Sequence, residues 1–170
     1  VTGSVNSTGT FNLRGNVFVA SNDNCQSVRV GLNAGAETQT NFAVAVGSGA
    51  GRYTQGSGSV AVGTSAGTTT QKDRAIAIGN LAGNASQGIG GVAIGYQAGQ
   101  TSQGDRAVAI GSAAGNNTQN TQAVAIGYQA GQTTQGSNTV AIGVGAGKTS
   151  QQDNSVAIAN AAGTTNQGTS

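Results

Sequence analysis

Valine and isoleucine recur along this chain two residues apart, each pair split by alanine except Val28 and Val30, which flank Arg29, and the pattern returns every 16 residues. From residue 27 to the end, one unit reads roughly [S/A]-V-A-I-G-x-x-A-G-x-T-[S/T]-Q-G-x-x, in nine copies without insertion. Alternation of period two predicts a short strand at the start of each unit, Val and Ile on one side and Ala and Ser on the other. Both apolar columns, Val28 to Val156 and Val30 to Ile158, hold only Val or Ile. Glycine follows in two further columns, Gly31 to Gly143 with Ala159 completing the series, and Gly35 to Gly163, and glutamine recurs from Gln39 to Gln167.

A fixed period of this kind marks a repeat architecture. Sixteen residues are too few for a pair of helices and fit one coil of a parallel β-solenoid. Each coil would comprise two short strands and two turns, with glycine supplying the positive φ or close backbone approach that the turns need. The chain has no proline, as expected where each coil's N–H groups bond to the next. The reading is therefore all-β: a nine-coil solenoid domain over 27–170, preceded by an atypical cap or assembly segment over 1–26 that includes Phe11, Val17, Phe18 and Val19. At about 4.8 Å per coil the rod is about 43 Å long. Like residues then stack into ladders, and glutamines can hydrogen-bond amide to amide along the axis.

Period two leaves open which side is interior. The Ala34 and Ala45 columns would fill a thin coil; Val and Ile would then face outward and meet other copies, most simply in a trimer, since a soluble monomer does not tolerate so long an exposed stripe. Val108, Ile110, Val124, Ile126, Val140 and Ile142 are the candidate assembly ladder on that reading. The competing geometry buries Val and Ile and exposes Ala.

The elements Ala107-Val108-Ala109-Ile110-Gly111, Ala123-Val124-Ala125-Ile126-Gly127 and Ser155-Val156-Ala157-Ile158-Ala159 resemble the head repeats of trimeric autotransporter adhesins of the YadA type. The resemblance covers 27–170. It implies a left-handed parallel β-roll that trimerises side by side and an extracellular, surface-exposed place. Departures are a unit slightly longer than the typical one and the lack of a neck motif, stalk and membrane anchor. The repeats also look similar to those of phage and large-virus fibre proteins, so the surface that the resemblance implies is that of a cell or a virion.

Composition narrows the function. The 170 residues include 30 Gly, no His, Met or Trp, three Phe and three Tyr, and the net charge is +2. Without histidine, and with only Asp23, Glu37, Asp73, Asp105 and Asp153 as carboxylates, no acid–base constellation forms, so no catalytic, metal or cofactor residues are assigned. Seven dispersed Lys and Arg do not form a nucleic-acid surface, and no apolar stretch reaches membrane-spanning length. Asp73, Asp105 and Asp153 share a column and read as solvated turn charges. Cys25 has no intrachain partner and reads as a small buried residue or an intermolecular link. The sequons at Asn6, Asn84 and Asn116 are what an Asn- and Thr-rich chain yields by chance.

The leading function is a structural fibre or adhesin-head module: a rigid homo-oligomeric rod for attachment to a host cell, matrix or other surface. Ser170 completes the ninth unit, which also allows head-to-tail filament growth. The alternative is a ligand-binding solenoid. Tyr96 and Tyr128, two coils apart in one column, could stack on glycans. Ice binding would need an unbroken threonine array, whereas the column from Glu37 and Tyr53 through Thr69, Ala85 and Thr101 is interrupted.

Overall fold

The computed structural model describes residues 11–13, 16–19 and 26–168. Cys25 and the sequon at Asn6 lie outside them. Phe11–Leu13 and Asn16–Val19 pair antiparallel, Asn12 opposite Val17. From Val28 on, the described strands are parallel and built in coils.

Nine three-residue strands, from Val28–Val30 to Val156–Ile158, form one parallel sheet in which each strand pairs with its neighbours one repeat away. Seven two-residue strands, from Thr38–Gln39 to Thr134–Gln135, form a second. Single bridges from Gln135 to Gln151 and from Thr149 to Thr165 carry the second sheet onward. The register is 16 throughout: Val108 opposes Val124, Ala109 opposes Ala125 and Ile110 opposes Ile126. Turns join the same ladder. Gly99 N–H donates to Ala114 O at 2.9 Å, Thr101 N–H to Asn116 O at 2.9 Å, and Gly111 N–H to Ile94 O at 2.8 Å. Backbone groups in turns thus find partners as those in strands do, which is what burial of a coil requires.

The small side chains are inside. Ala45, Ala61, Ala77, Ala93, Ala109, Ala125 and Ala141 are fully buried, as is the turn column from Ala50 to Ala146. These alanines form the core cluster, while Val and Ile point out of the coil. Interior width explains the choice: strands of three and two residues joined by tight turns bring the two sheets too close for a branched side chain on one wall.

The other wall is glutamine. Gln55, Gln71, Gln87, Gln103, Gln119, Gln135 and Gln151 are all buried. Gln119 Nε2 donates to Val108 O at 2.7 Å, to Ala123 O at 3.2 Å and to Gln135 Oε1 at 3.1 Å, and Gln119 Oε1 accepts from Gln103 Nε2 at 3.1 Å. Each buried amide from Gln55 to Gln151 ties the short-strand sheet to the long-strand sheet through a strand carbonyl. The axial amide ladder expected from the repeat is present in segments, Gln39 to Gln55, Gln71 to Gln87, Gln103 through Gln119 to Gln135, and Gln151 to Gln167, and at its breaks the Oε1 atoms of Gln71, Gln103 and Gln151 have no partner. At the first coil Arg29 stands in the inward alanine column, where its Nη1 donates to Gly35 O at 2.9 Å.

Two turn columns hold non-glycine residues in the left-handed region, among them Phe42, Arg74, Arg106 and Gln122 in one and Leu81, Gln97 and Gln129 in the other. In the first, Gly58 and Gly90 leave open space where a Cβ would sit, their nearest neighbours being 4.0 Å away. Backbone strain alone is therefore at stake, about 1–2 kcal/mol per residue. Gln122→Gly relieves it and is expected to raise stability by about 0.5–1 kcal/mol after the unfolded-state entropy of glycine is offset. Its neighbour Ala123 is fully buried, and Ala123→Gly is expected to lower stability by about 1–2 kcal/mol. Urea unfolding of the two variants, with opposite signs at adjacent positions, checks the assignment.

Candidate assembly face

Alternation in the long-strand sheet puts Ala109 inward and Val108 and Ile110 outward on the same strand, and the stacking register repeats this on every rung. Val108, Ile110, Val124, Ile126, Val140 and Ile142 all lie on this outer face and are half-buried by one another. Exposure rises toward the ends, to 53% at Val156 and 60% at Ile158. Backbone polar groups along these strands are consumed by the ladder, so the face offers apolar side chains and no unpaired hydrogen-bonding edge. A flat, dry, β-branched surface of this kind is suited to packing against another sheet.

Tyr96 and Tyr128 sit in the column two residues beyond the Ile column, each 53% exposed. Ser112 separates them, and Leu32 and Val144 occupy the same column, also exposed. Neither tyrosine lines the clefts described further below. Arg52 lies over the Tyr53 ring, 4.9 Å from its centroid, which occupies one position of the interrupted threonine column.

The aspartates do more than sit in solvent. Asp73 Oδ1 accepts the N–H of Ser57 at 2.9 Å, Asp105 Oδ1 that of Ile89 at 2.8 Å, and Asp153 Oδ1 that of Ser137 at 2.6 Å, always one coil back. Each carboxylate therefore pins the preceding turn. Asp105 also meets Lys72 Nζ at 3.7 Å, an exposed pair of small energetic weight. Among the described residues no three His, Cys, Asp or Glu side chains gather as a metal site, and no helix is long and apolar enough to cross a membrane.

Stacked coils with an alanine interior and an outward Val/Ile ladder define a parallel β-solenoid repeat protein. Residues 55–82 and 86–114 match the YadA head domain repeat in two copies. These two stretches are YadA-like head repeats, and the family they resemble is an adhesin-type structural module. Comparison with curated proteins and with solved structures gives no match.

Proposed function

We propose that the chain is a rod segment of an extracellular fibre or adhesin head, displayed on a cell or virion surface, and that it trimerises through the Val/Ile face. The observation that carries this reading is the continuous apolar ladder outside a core already closed by alanine and glutamine. The single coil has no room for those side chains and no further use for them. Three copies packed around one axis would remove the ladder from water, and burial of apolar surface is the dominant drive for such association. The head-repeat match supports a homo-oligomer in general. On this reading residues 1–26 cap or help assemble the N-terminal end.

One residue departs from the turn-glycine column. Ala159 carries a Cβ at φ 127°, where the preceding eight units have glycine. Gly143, one coil earlier, gives the measure of such an atom: a Cβ there would lie 2.6 Å from the carbonyl oxygen of the coil stacked on it.

Sedimentation equilibrium paired with electron microscopy of the intact chain tests the reading. The expected mass is three times the 16.3 kDa of one chain, in short rods. A monomer at micromolar concentration, or long filaments, would refute it.

A further inference from the structure

Two open clefts lie on the short-strand sheet, at the corner where it enters the following turn. One, of about 300 Å³, is lined by Thr40, Thr54, Gly56, Thr70, Lys72 and Asp73. The other, of about 390 Å³, is lined by Asn120, Thr134, Gly136, Ser150, Gln152 and Asp153. Residue for residue the second set lies five repeats beyond the first. They are the same structure built twice, about 24 Å apart along the rod at about 4.8 Å per coil.

The notch has a definite cause. Gly56 and Gly136 have no side chain, while the residues one coil to either side in the same column do: Thr40 and Lys72 about the first glycine, Asn120 and Gln152 about the second. The missing atoms let the next coil fold inward, so that a Cβ on Gly56 would sit 2.5 Å from Asp73 N and one on Gly136 2.6 Å from Asp153 N. Asp73 and Asp153 then lock the bend through Ser57 and Ser137 N–H. Gly88 shows why the feature is not general. Its own aspartate, Asp105, is in place, but the neighbour on that side is Gly104 and one wall is absent.

The lining presents hydrogen-bonding groups that the protein itself does not use. Thr54, Thr70, Thr134 and Ser150 hydroxyls and the Asn120 and Gln152 amides have no side-chain partner among the described residues, whereas Thr40 Oγ1 donates to Gln55 O at 2.9 Å. Adjacent hydroxyl, amide and carboxylate groups, donors and acceptors side by side, match the vicinal hydroxyls of a sugar. In the first cleft Ile89, 43% exposed, adds an apolar wall suited to the C–H face of a pyranose. Volumes at the small end of ligand sites fit one or two sugar units.

We propose that these clefts are twin saccharide subsites, each taking a neutral sugar unit, so that one rod holds two and an assembly holds several. Weak single contacts would then combine, since linked sites raise avidity without new contacts. The proposal rests on the reading of the chain as a surface-displayed rod. It places the sugar away from the tyrosine column.

The test is amide chemical-shift mapping of the intact ¹⁵N-labelled chain titrated separately with maltotriose, mannotriose and chitotriose. At least one is expected to move the Ser57, Asp73, Ser137 and Asp153 amides at millimolar concentration. Thr134→Val is expected to weaken binding at Ser137 and Asp153 about tenfold, the worth of one ordinary hydrogen bond, and to leave the Ser57 and Asp73 response intact. Thr54→Val should do the reverse, so each cleft serves as the folding control for the other. No shift with any of the three sugars, shifts centred on Tyr96 and Tyr128, or shifts indifferent to both variants would overturn it. Sedimentation mass measured on the same samples separates that failure from failure of the rod reading.

Discussion

Replacing Ile110 and Ile126 together with aspartate is expected to convert the proposed trimer to single chains while leaving the coil folded. Both side chains stand on the outer face of adjacent rungs, so the substitution leaves every backbone ladder bond and the whole alanine and glutamine core in place. Around a threefold axis it sets six carboxylates against one another in a surface that must be dry to hold. An unpaired charge withdrawn from water into such an interface costs several kcal/mol, and repetition in three chains exceeds what the remaining rungs can offset. Sedimentation equilibrium should give the mass of one chain, with the far-ultraviolet β signature preserved. Thr118→Asp, on the short-strand sheet, serves as the control and should leave the mass unchanged. A double variant that stays trimeric would show that assembly uses another face.

Most of this architecture could be read before any coordinates. Period, the short strand at the start of each unit, the Gly31 and Gly35 turn columns and the stacking of like glutamines all follow from a strict repeat, because stacking turns each sequence column into a spatial column. Which face is inside could not be read that way. Val108 and Ala109 are both apolar, and alternation separates them without ranking them; the answer comes from interior width, a property of the whole coil. Burial of Gln119 was hidden for a related reason. A lone glutamine defaults to the surface, and only the carbonyls of Val108 and Ala123, brought around it by the fold, make the interior acceptable. The left-handed residues Leu81 and Arg74 gave no signal, since the stacked neighbours impose a conformation that those side chains do not favour. Of the candidate site residues, the six on the Val/Ile ladder were legible as a stripe. The twin clefts were not, because Gly56 and Gly136 matter there through the missing volume between Thr40 and Lys72 and between Asn120 and Gln152.

Gly111→Ala is expected to destabilise the fold by about 3–5 kcal/mol, the sum of two effects that act at one atom. Gly111 has φ 124°, a backbone state that side-chain-bearing residues avoid, and holding an L-residue there costs about 1–3 kcal/mol. The added Cβ would also lie 2.7 Å from Gly127 O and 2.8 Å from Gly127 C. Relief by movement is blocked, because Gly127 N–H is held by Ile110 O at 2.8 Å and Gly111 N–H by Ile94 O at 2.8 Å. Overpacking against fixed backbone adds about 1–3 kcal/mol. Ala159 supplies the internal comparison, with the same column and φ 127° but no carbonyl stacked on it among the described residues. Ala159→Gly should therefore be stabilising by about 1 kcal/mol, strain relief exceeding the unfolded-state entropy of glycine. Urea unfolding of both variants decides the matter. A near-neutral Gly111→Ala would mean that the coils stack more loosely than 2.7 Å implies.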